Sequence, residues 1–360
     1  MKTALCSKSV NGKERTKMIL IQIENTILSI VNSLYNNNKF MIDLTKLSSW
    51  SNRVYSNNKQ LITKTLVFTT KRSRTKFTII IYILSKIYKN LITNNSCTTR
   101  ELYYGNTTLF KHDYIVRKAL IDICCLLGTK SWELGITLTS NGLVAGSLMI
   151  YMYNGRIFDC SKNIEGIQIP QDILEIQDFK SSAKYILIIE KNASFQKIIN
   201  EGLLKKNECS FIIITGKGFP DINTRLFVKQ LSRKLNIPIL ALVDANPFGI
   251  EIMCVYRFGS NTMFYQNDML SVPSIKWLGV YPTDIESLNL TSISLTDLDQ
   301  ARVKSLLKRP YINSNKKLLQ QVLMLHKLNK KAEIESLTNF TQTYLTEVYI
   351  KRKILNQEFI

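Results

Sequence analysis

Tyr185-Ile-Leu-Ile-Ile-Glu190, a continuous apolar run closed by an acid, decides the fold. Phe211-Ile-Ile-Ile214 and Ile237-Pro-Ile-Leu-Ala-Leu-Val243 repeat the pattern. After each run come a polar turn and a stretch with helical spacing, at Ser194–Leu203, Thr224–Leu235 and Gly249–Tyr256. Strands that are apolar throughout are buried on both faces, and alternating with helices they predict a parallel α/β sheet. The boundary before this sheet is expected near Gly155–Pro170. Apolar positions from Leu306 to Leu325 predict closing helices.

Upstream the rhythm is helical. Met18, Ile19, Ile23, Ile27 and Ile30 predict an amphipathic helix over Thr16–Leu34, ended by Asn36–Asn38. Helices are expected at Phe77–Thr93, Thr98–Tyr104 and Asp113–Leu127, followed by a β-like stretch at Gly135–Thr139. Three helices and then a short strand pair is the layout of a winged helix-turn-helix, which sets one helix in a DNA groove. The expected order is therefore an N-terminal helical and basic extension (1–70), a winged-helix domain (71–155) and an α/β domain (165–360).

The 360 residues carry a net charge of +21, and a hydrophobic fraction of 45% excludes disorder over most of the length. Residues 1–160 hold 22 basic side chains against 8 acidic, and Ser51–Arg100 holds ten and none. Such a segment repels itself unless a polyanion is near, so either nucleic acid or a solvated basic surface explains it. No apolar run approaches the length of a membrane span, and Lys2, Lys8 and Lys13 precede any secretory apolar stretch. An intracellular protein is expected. Seven cysteines with no Cys-x-x-Cys pair suit reduced thiols. Two histidines, His112 and His326, argue against His-based zinc and against His-assisted nucleophiles.

Ligands of an open parallel sheet lie beyond the carboxyl ends of its strands. Glu190 and Asp244 end two of them, and paired carboxylates suit a hard cation such as Mg2+; acids capping helix starts are the other reading. The turn Thr215-Gly-Lys-Gly-Phe-Pro-Asp221 is either a phosphate cradle or a plain tight turn. In Thr98-Thr-Arg-Glu-Leu-Tyr-Tyr104, Arg100 and Tyr104 share one helix face. A guanidinium there favours the phenolate of a tyrosine whose ordinary pKa is about 10, although paired tyrosines are also ordinary core and surface neighbours.

In this order the motifs resemble one family, the A subunit of topoisomerase VI and its eukaryotic branch, the meiotic double-strand-break transesterases. The resemblance rests on Thr99–Tyr104, Asp122–Cys125 with Leu138–Gly146, Ile188–Ala193, Thr215–Arg225, Leu242–Ile252 and Lys331–Leu337. It implies a winged-helix domain followed by a Toprim α/β domain, working as a homodimer or pseudo-dimer on double-stranded DNA in the nucleus. The implied partners are meiotic accessory proteins and a topoisomerase VI B-like subunit. Tyr104 is the implied nucleophile, forming a 5′-phosphotyrosyl link, with Arg100 beside it. Glu190, Asp244 and Asn246 are the implied Mg2+ ligands, and Gly216, Lys217, Gly218, Asn141 and Arg225 the implied DNA contacts.

Two positions depart from the pattern. Asn246 replaces the second acid of an Asp-x-Asp pair, which predicts a weaker or single-metal site, and Asn141 replaces a lysine after the wing. Three functions follow in order of expectation: a Mg2+-dependent DNA-cleaving transesterase that starts meiotic recombination, a topoisomerase component that reseals DNA with an ATPase partner, and a non-cleaving DNA-binding paralogue.

Overall fold

The computed structural model describes residues 2–36, 41–47, 61–68, 71–163, 165–205, 210–260 and 262–360. The centre of the basic tract, including Arg53 and Lys59, lies outside them. The chain divides into two units, one of residues 1–138 with 262–266 and one of residues 139–261 with 267–360.

The first unit runs α1 (Lys2–Tyr35), β1 (Met41–Leu47), β2 (Leu61–Val67), α2 (Lys71–Ile92), α3 (Thr99–Tyr104), α4 (Thr107–Phe110) and α5 (Asp113–Leu126). Phe77, Ile80, Ile83, Leu84, Ile87 and Leu91 recur at helical spacing on α2 and form the centre of its core, against Ile19 and Ile23 of α1 and Val116, Leu120 and Ile123 of α5. β1 and β2 pair antiparallel, and Ile42, Leu44 and Leu66 are buried in the same core. Within residues 1–70, expected as a separate extension, α1, β1 and β2 thus contribute to this unit's core. The expected strand at Gly135–Thr139 is reduced to one isolated bridge, Cys97 with Ile136. The strand pair of this unit precedes α2, because an alternating run such as Met41–Leu47 buries one face only once a partner strand satisfies its backbone.

The second unit continues with β3 (Leu143–Gly146), β4 (Leu148–Met152), β5 (Ile157–Asp159), β6 (Ile167–Gln168), β7 (Ile176–Ser181), β8 (Tyr185–Ile189), α6 (Asn192–Asn200), β9 (Phe211–Thr215), α7 (Ile222–Leu235), β10 (Ile239–Leu242) and α8 (Pro247–Phe258). It closes with α9 (Asn267–Leu270), β11 (Lys276–Gly279), α10 (Pro282–Ser287), β12 (Ile293–Ser294), α11 (Asp297–Leu307), α12 (Pro310–Asn313), α13 (Lys316–Leu328), β13 (Lys330–Lys331) and α14 (Ile350–Leu355). Among the described residues a six-stranded sheet has the order β11-β10-β8-β9-β3-β6. Its first four strands are parallel, β8, β9 and β10 being buried almost throughout as their apolar runs predict, and β3 joins antiparallel to β9. The division between units falls at residues 138/139, ahead of the expected Gly155–Pro170. The short run Leu143 to Gly146 finds its partner far along the chain, at Ile212–Thr215.

Candidate active site

In the first unit a capping box starts α3. The Glu101 N–H donates to Thr98 Oγ1 (3.1 Å) and the Thr98 N–H donates to Glu101 Oε2 (2.9 Å). Leu102 is buried in the unit's core, which fixes the helix by its opposite face. At its far end the Tyr82 hydroxyl donates to the Gly105 carbonyl (3.2 Å). Tyr103 is half-buried, its hydroxyl donating to the Lys111 carbonyl (3.4 Å). Tyr104 is 72% exposed, its ring 5.2 Å from that of Tyr103. Arg100 is exposed one turn earlier, and no hydrogen bond joins it to Tyr104 among the described residues. The result is a solvent-facing phenol on an anchored support.

In the second unit β8 and β10 are adjacent and parallel, with Ile189 opposite Leu242, so Glu190 and Asp244 emerge side by side. The Asp244 N–H donates to Glu190 Oε2 (2.9 Å), and the Ile334 N–H donates to Asp244 Oδ1 (2.9 Å). Both acids are buried, at 7% and 1% exposure. Burial first, then the Asp244 charge, pushes the Glu190 carboxyl up to about 7. Burial likewise raises Asp244, against the Ile334 N–H and Lys191. Lys191 Nζ lies 3.0 Å from Asp244 Oδ2, 3.2 Å from Glu333 and 3.4 Å from Glu335. Burial opposes this ammonium, but Asp244 and Glu335 outweigh it and hold its pKa above the ordinary lysine value. Two buried carboxylates that resist joint ionisation and draw in an ammonium form a site in need of positive charge. All of their donors are oxygen, so a hard divalent cation fits them.

The remaining expected site residues take other places. Asn246 is the N-cap of α8, its Oδ1 accepting from the Gly249 N–H (2.7 Å). That bond fixes the amide's orientation, so its NH2 group faces Asp244 Oδ2 (3.3 Å) where a third ligand oxygen was expected. The Gly218 N–H donates to the Glu190 carbonyl (2.8 Å) and the Lys217 N–H to Thr215 Oγ1 (3.1 Å), so these two donors of the expected phosphate cradle are already engaged. They clamp the end of β8 instead, and Gly218 adopts the φ of +99° that this turn needs. Lys217 is exposed and Gly216 buried. Asn141 is exposed, its backbone N–H donating to Asp221 Oδ2 (2.7 Å). Arg225 is 2% exposed within α7, and burial lowers its guanidinium pKa to about 10, so the expected DNA contact is a core residue here.

Lys191, Glu333, Glu335 and Gly249 were not among the expected site residues, although each lies inside a motif that carries the family resemblance. A Cβ on Gly249 would sit 2.5 Å from the Asp244 carbonyl and 2.8 Å from Glu190 Oε2. Gly249→Ala is therefore expected to force the strand ends apart and destabilise the protein by about 1–3 kcal/mol, read as a lower melting temperature; an unchanged value would refute the contact.

Known proteins are similar to this chain over nearly its whole length. Residues 185–354 match the Toprim domain of the topoisomerase 6 A-subunit/Spo11 family, and residues 75–136 match Type IIB DNA topoisomerase. The chain is 36% identical to human Meiotic recombination protein SPO11 over 346 residues, covering 93% of this chain and 87% of the relative. The mouse protein of the same name gives the same values. The A subunit of DNA topoisomerase 6 from Arabidopsis thaliana is 32% identical, covering 94% of this chain and 81% of the relative.

Proposed function

The chain belongs to the topoisomerase 6 A-subunit/Spo11 family of type IIB DNA topoisomerases, and from that membership we propose a residue-level account of its chemistry. It is a topoisomerase-like DNA-cleaving enzyme of meiotic double-strand-break formation. Tyr104 is the nucleophile. Its phenolic oxygen, on losing its proton, attacks a DNA phosphorus; the P–O3′ bond breaks, the 3′-oxygen leaves and takes up a proton, and the 5′-phosphate stays on the tyrosine. One ester replaces another, so the step needs no water and no nucleotide. Arg100, one turn before, draws the phosphate in and stabilises the charge that develops on it.

Glu190 and Asp244 would hold Mg2+, with Asn246 fixed beside them by its cap on α8 and its NH2 group on Asp244 Oδ2. When bound, that cation supplies charge stabilisation to the phosphate and the leaving oxygen. Tyr104 and the acids belong to different units, so we read the working form as a dimer in which the tyrosine of one protomer meets the acids of its partner, one composite site per strand. The first unit is read as a winged-helix module on double-stranded DNA, and Lys217, with Asn141, as a flanking phosphate contact. Nuclear localisation and a topoisomerase VI B-like partner follow from the same reading. No helix among the described residues is long and apolar enough to cross a membrane.

The observation that carries this reading is Tyr104 itself, a largely exposed phenol at the end of a capped helix whose other face is locked into a core. The polarity of the covalent product tests it. Adducts recovered under denaturing conditions are expected to carry extendable 3′-hydroxyls and 5′-ends blocked to exonuclease. A free 5′-end on the adducts would exclude the reaction as written.

A further inference from the structure

The structure assigns Lys191 the part of a resident cation: its ammonium occupies the Asp244 carboxylate until a divalent ion displaces it, and Glu333 and Glu335 then hold the displaced ammonium at the rim. The inference rests on the reading of Glu190 and Asp244 as a divalent-cation site and concerns how that site is filled. Three observations carry it. The ammonium lies 3.0 Å from Asp244 Oδ2, the one oxygen of this carboxylate that no backbone N–H takes, since Ile334 donates to Oδ1. Lys191 follows Glu190 directly at the start of α6 and is about one-third exposed, so it reaches the buried acid from the solvent side. The same ammonium already touches Glu333 (3.2 Å) and Glu335 (3.4 Å), whose side chains are 61% and 39% exposed.

A divalent ion on Asp244 Oδ2 and the ammonium exclude each other, because two cations cannot share one carboxylate oxygen at contact distance without strong repulsion. The rim acids supply a second place within a small swing of a flexible side chain. Glu335 is itself positioned for this, since Ser194 Oγ donates to its other oxygen (2.8 Å) and leaves Oε2 to the lysine. Metal affinity is then set by competition as well as by ligand charge. Lys191 is a positioning residue and touches no reacting atom.

The test is a titration of the purified protein with Mn2+ alone, free ion being read by electron paramagnetic resonance, with circular dichroism and melting curves as controls for folding. Wild type is expected to bind Mn2+ and Asp244→Asn to lose that binding. Lys191→Met is expected to bind about tenfold more tightly, because the competitor is gone. Glu333→Gln with Glu335→Gln is expected to bind about tenfold more weakly, because the ammonium is left with Asp244 alone, and these isosteric changes at an exposed and a half-buried position keep the test open if Lys191→Met folds poorly. Combining all three substitutions separates competition from plain charge: the rim changes should then have little further effect. Asp244-dependent binding that Lys191→Met leaves unchanged or weakens would overturn the competition while sparing the metal site. Equal weakening by the rim changes with and without Lys191 would also overturn it. Mn2+ binding that Asp244→Asn does not alter would overturn the metal reading, and the competition with it.

Discussion

Tyr104→Phe is expected to reduce covalent protein–DNA adducts by about a thousandfold or more, to background, because Tyr104 is the exposed phenol of α3 while the Tyr103 hydroxyl is engaged with the Lys111 carbonyl. The change deletes one oxygen from a side chain that is 72% exposed, so folding should be untouched, with stability changed by no more than about 0.5 kcal/mol. Duplex binding should persist for the same reason. Tyr103→Phe is the matched control. Its hydroxyl is turned to the Lys111 carbonyl, and its loss should leave adduct formation within about twofold of wild type. Adducts persisting in the Tyr104 variant but lost in the Tyr103 variant would move the nucleophile one residue back. Adducts persisting in both would remove tyrosine chemistry from α3 altogether.

The second large effect is expected from Asp244→Asn, which should abolish divalent-ion binding and with it cleavage, again to background. Here the fold responds as well. The amide retains an acceptor for the Ile334 N–H but loses the charge that faces Lys191 and that raises Glu190. The sign of the pH dependence follows from Glu190. Its carboxyl is held up to about 7, above its unfolded value, so the folded form keeps a proton that the unfolded form gives up. The stability this contributes is full below the unfolded pKa and is lost as pH rises through about 7. With metal chelated, wild type should therefore lose melting temperature as pH rises from 5 to 8. Asp244→Asn should show a shallower loss, since the Asp244 charge no longer adds to burial in raising Glu190. Parallel slopes for the two proteins would show that the acids do not sense each other.

The parallel sheet was legible because it is encoded locally. A strand covered on both faces must be apolar at every position, and Tyr185–Ile189 and Phe211–Ile214 announce themselves without reference to any partner. The acids that follow were legible for a related reason, since strand polarity alone puts Glu190 and Asp244 beyond the same edge of the sheet. β1 and β2 were not. Met41–Leu47 and Leu61–Val67 are short, interrupted by polar residues and embedded in Lys- and Asn-rich sequence; only their pairing and the helices beneath make them strands. The division between units was misplaced for the same reason, because the fate of Leu143–Gly146 is decided by Ile212–Thr215.

Within the site, the sequence by itself determined which chemical groups are available: a phenol with a guanidinium four residues earlier, two acids at strand ends, and an amide where a third acid was expected. Their assignments depended on the bonds and burial each group meets in the fold. Asn246 spends its oxygen on the first turn of α8, the Gly218 N–H is committed to the Glu190 carbonyl, and Arg225 is enclosed in the core. Lys191 meets Glu333 and Glu335 because the Ala332 N–H bonds to the Ala245 carbonyl and the Ile334 N–H to Asp244, bringing that late segment back to the acids. A sequence specifies composition and local periodicity. Which donor satisfies which acceptor is a three-dimensional question, because every buried polar group must find a partner and the partner is usually far away in the chain.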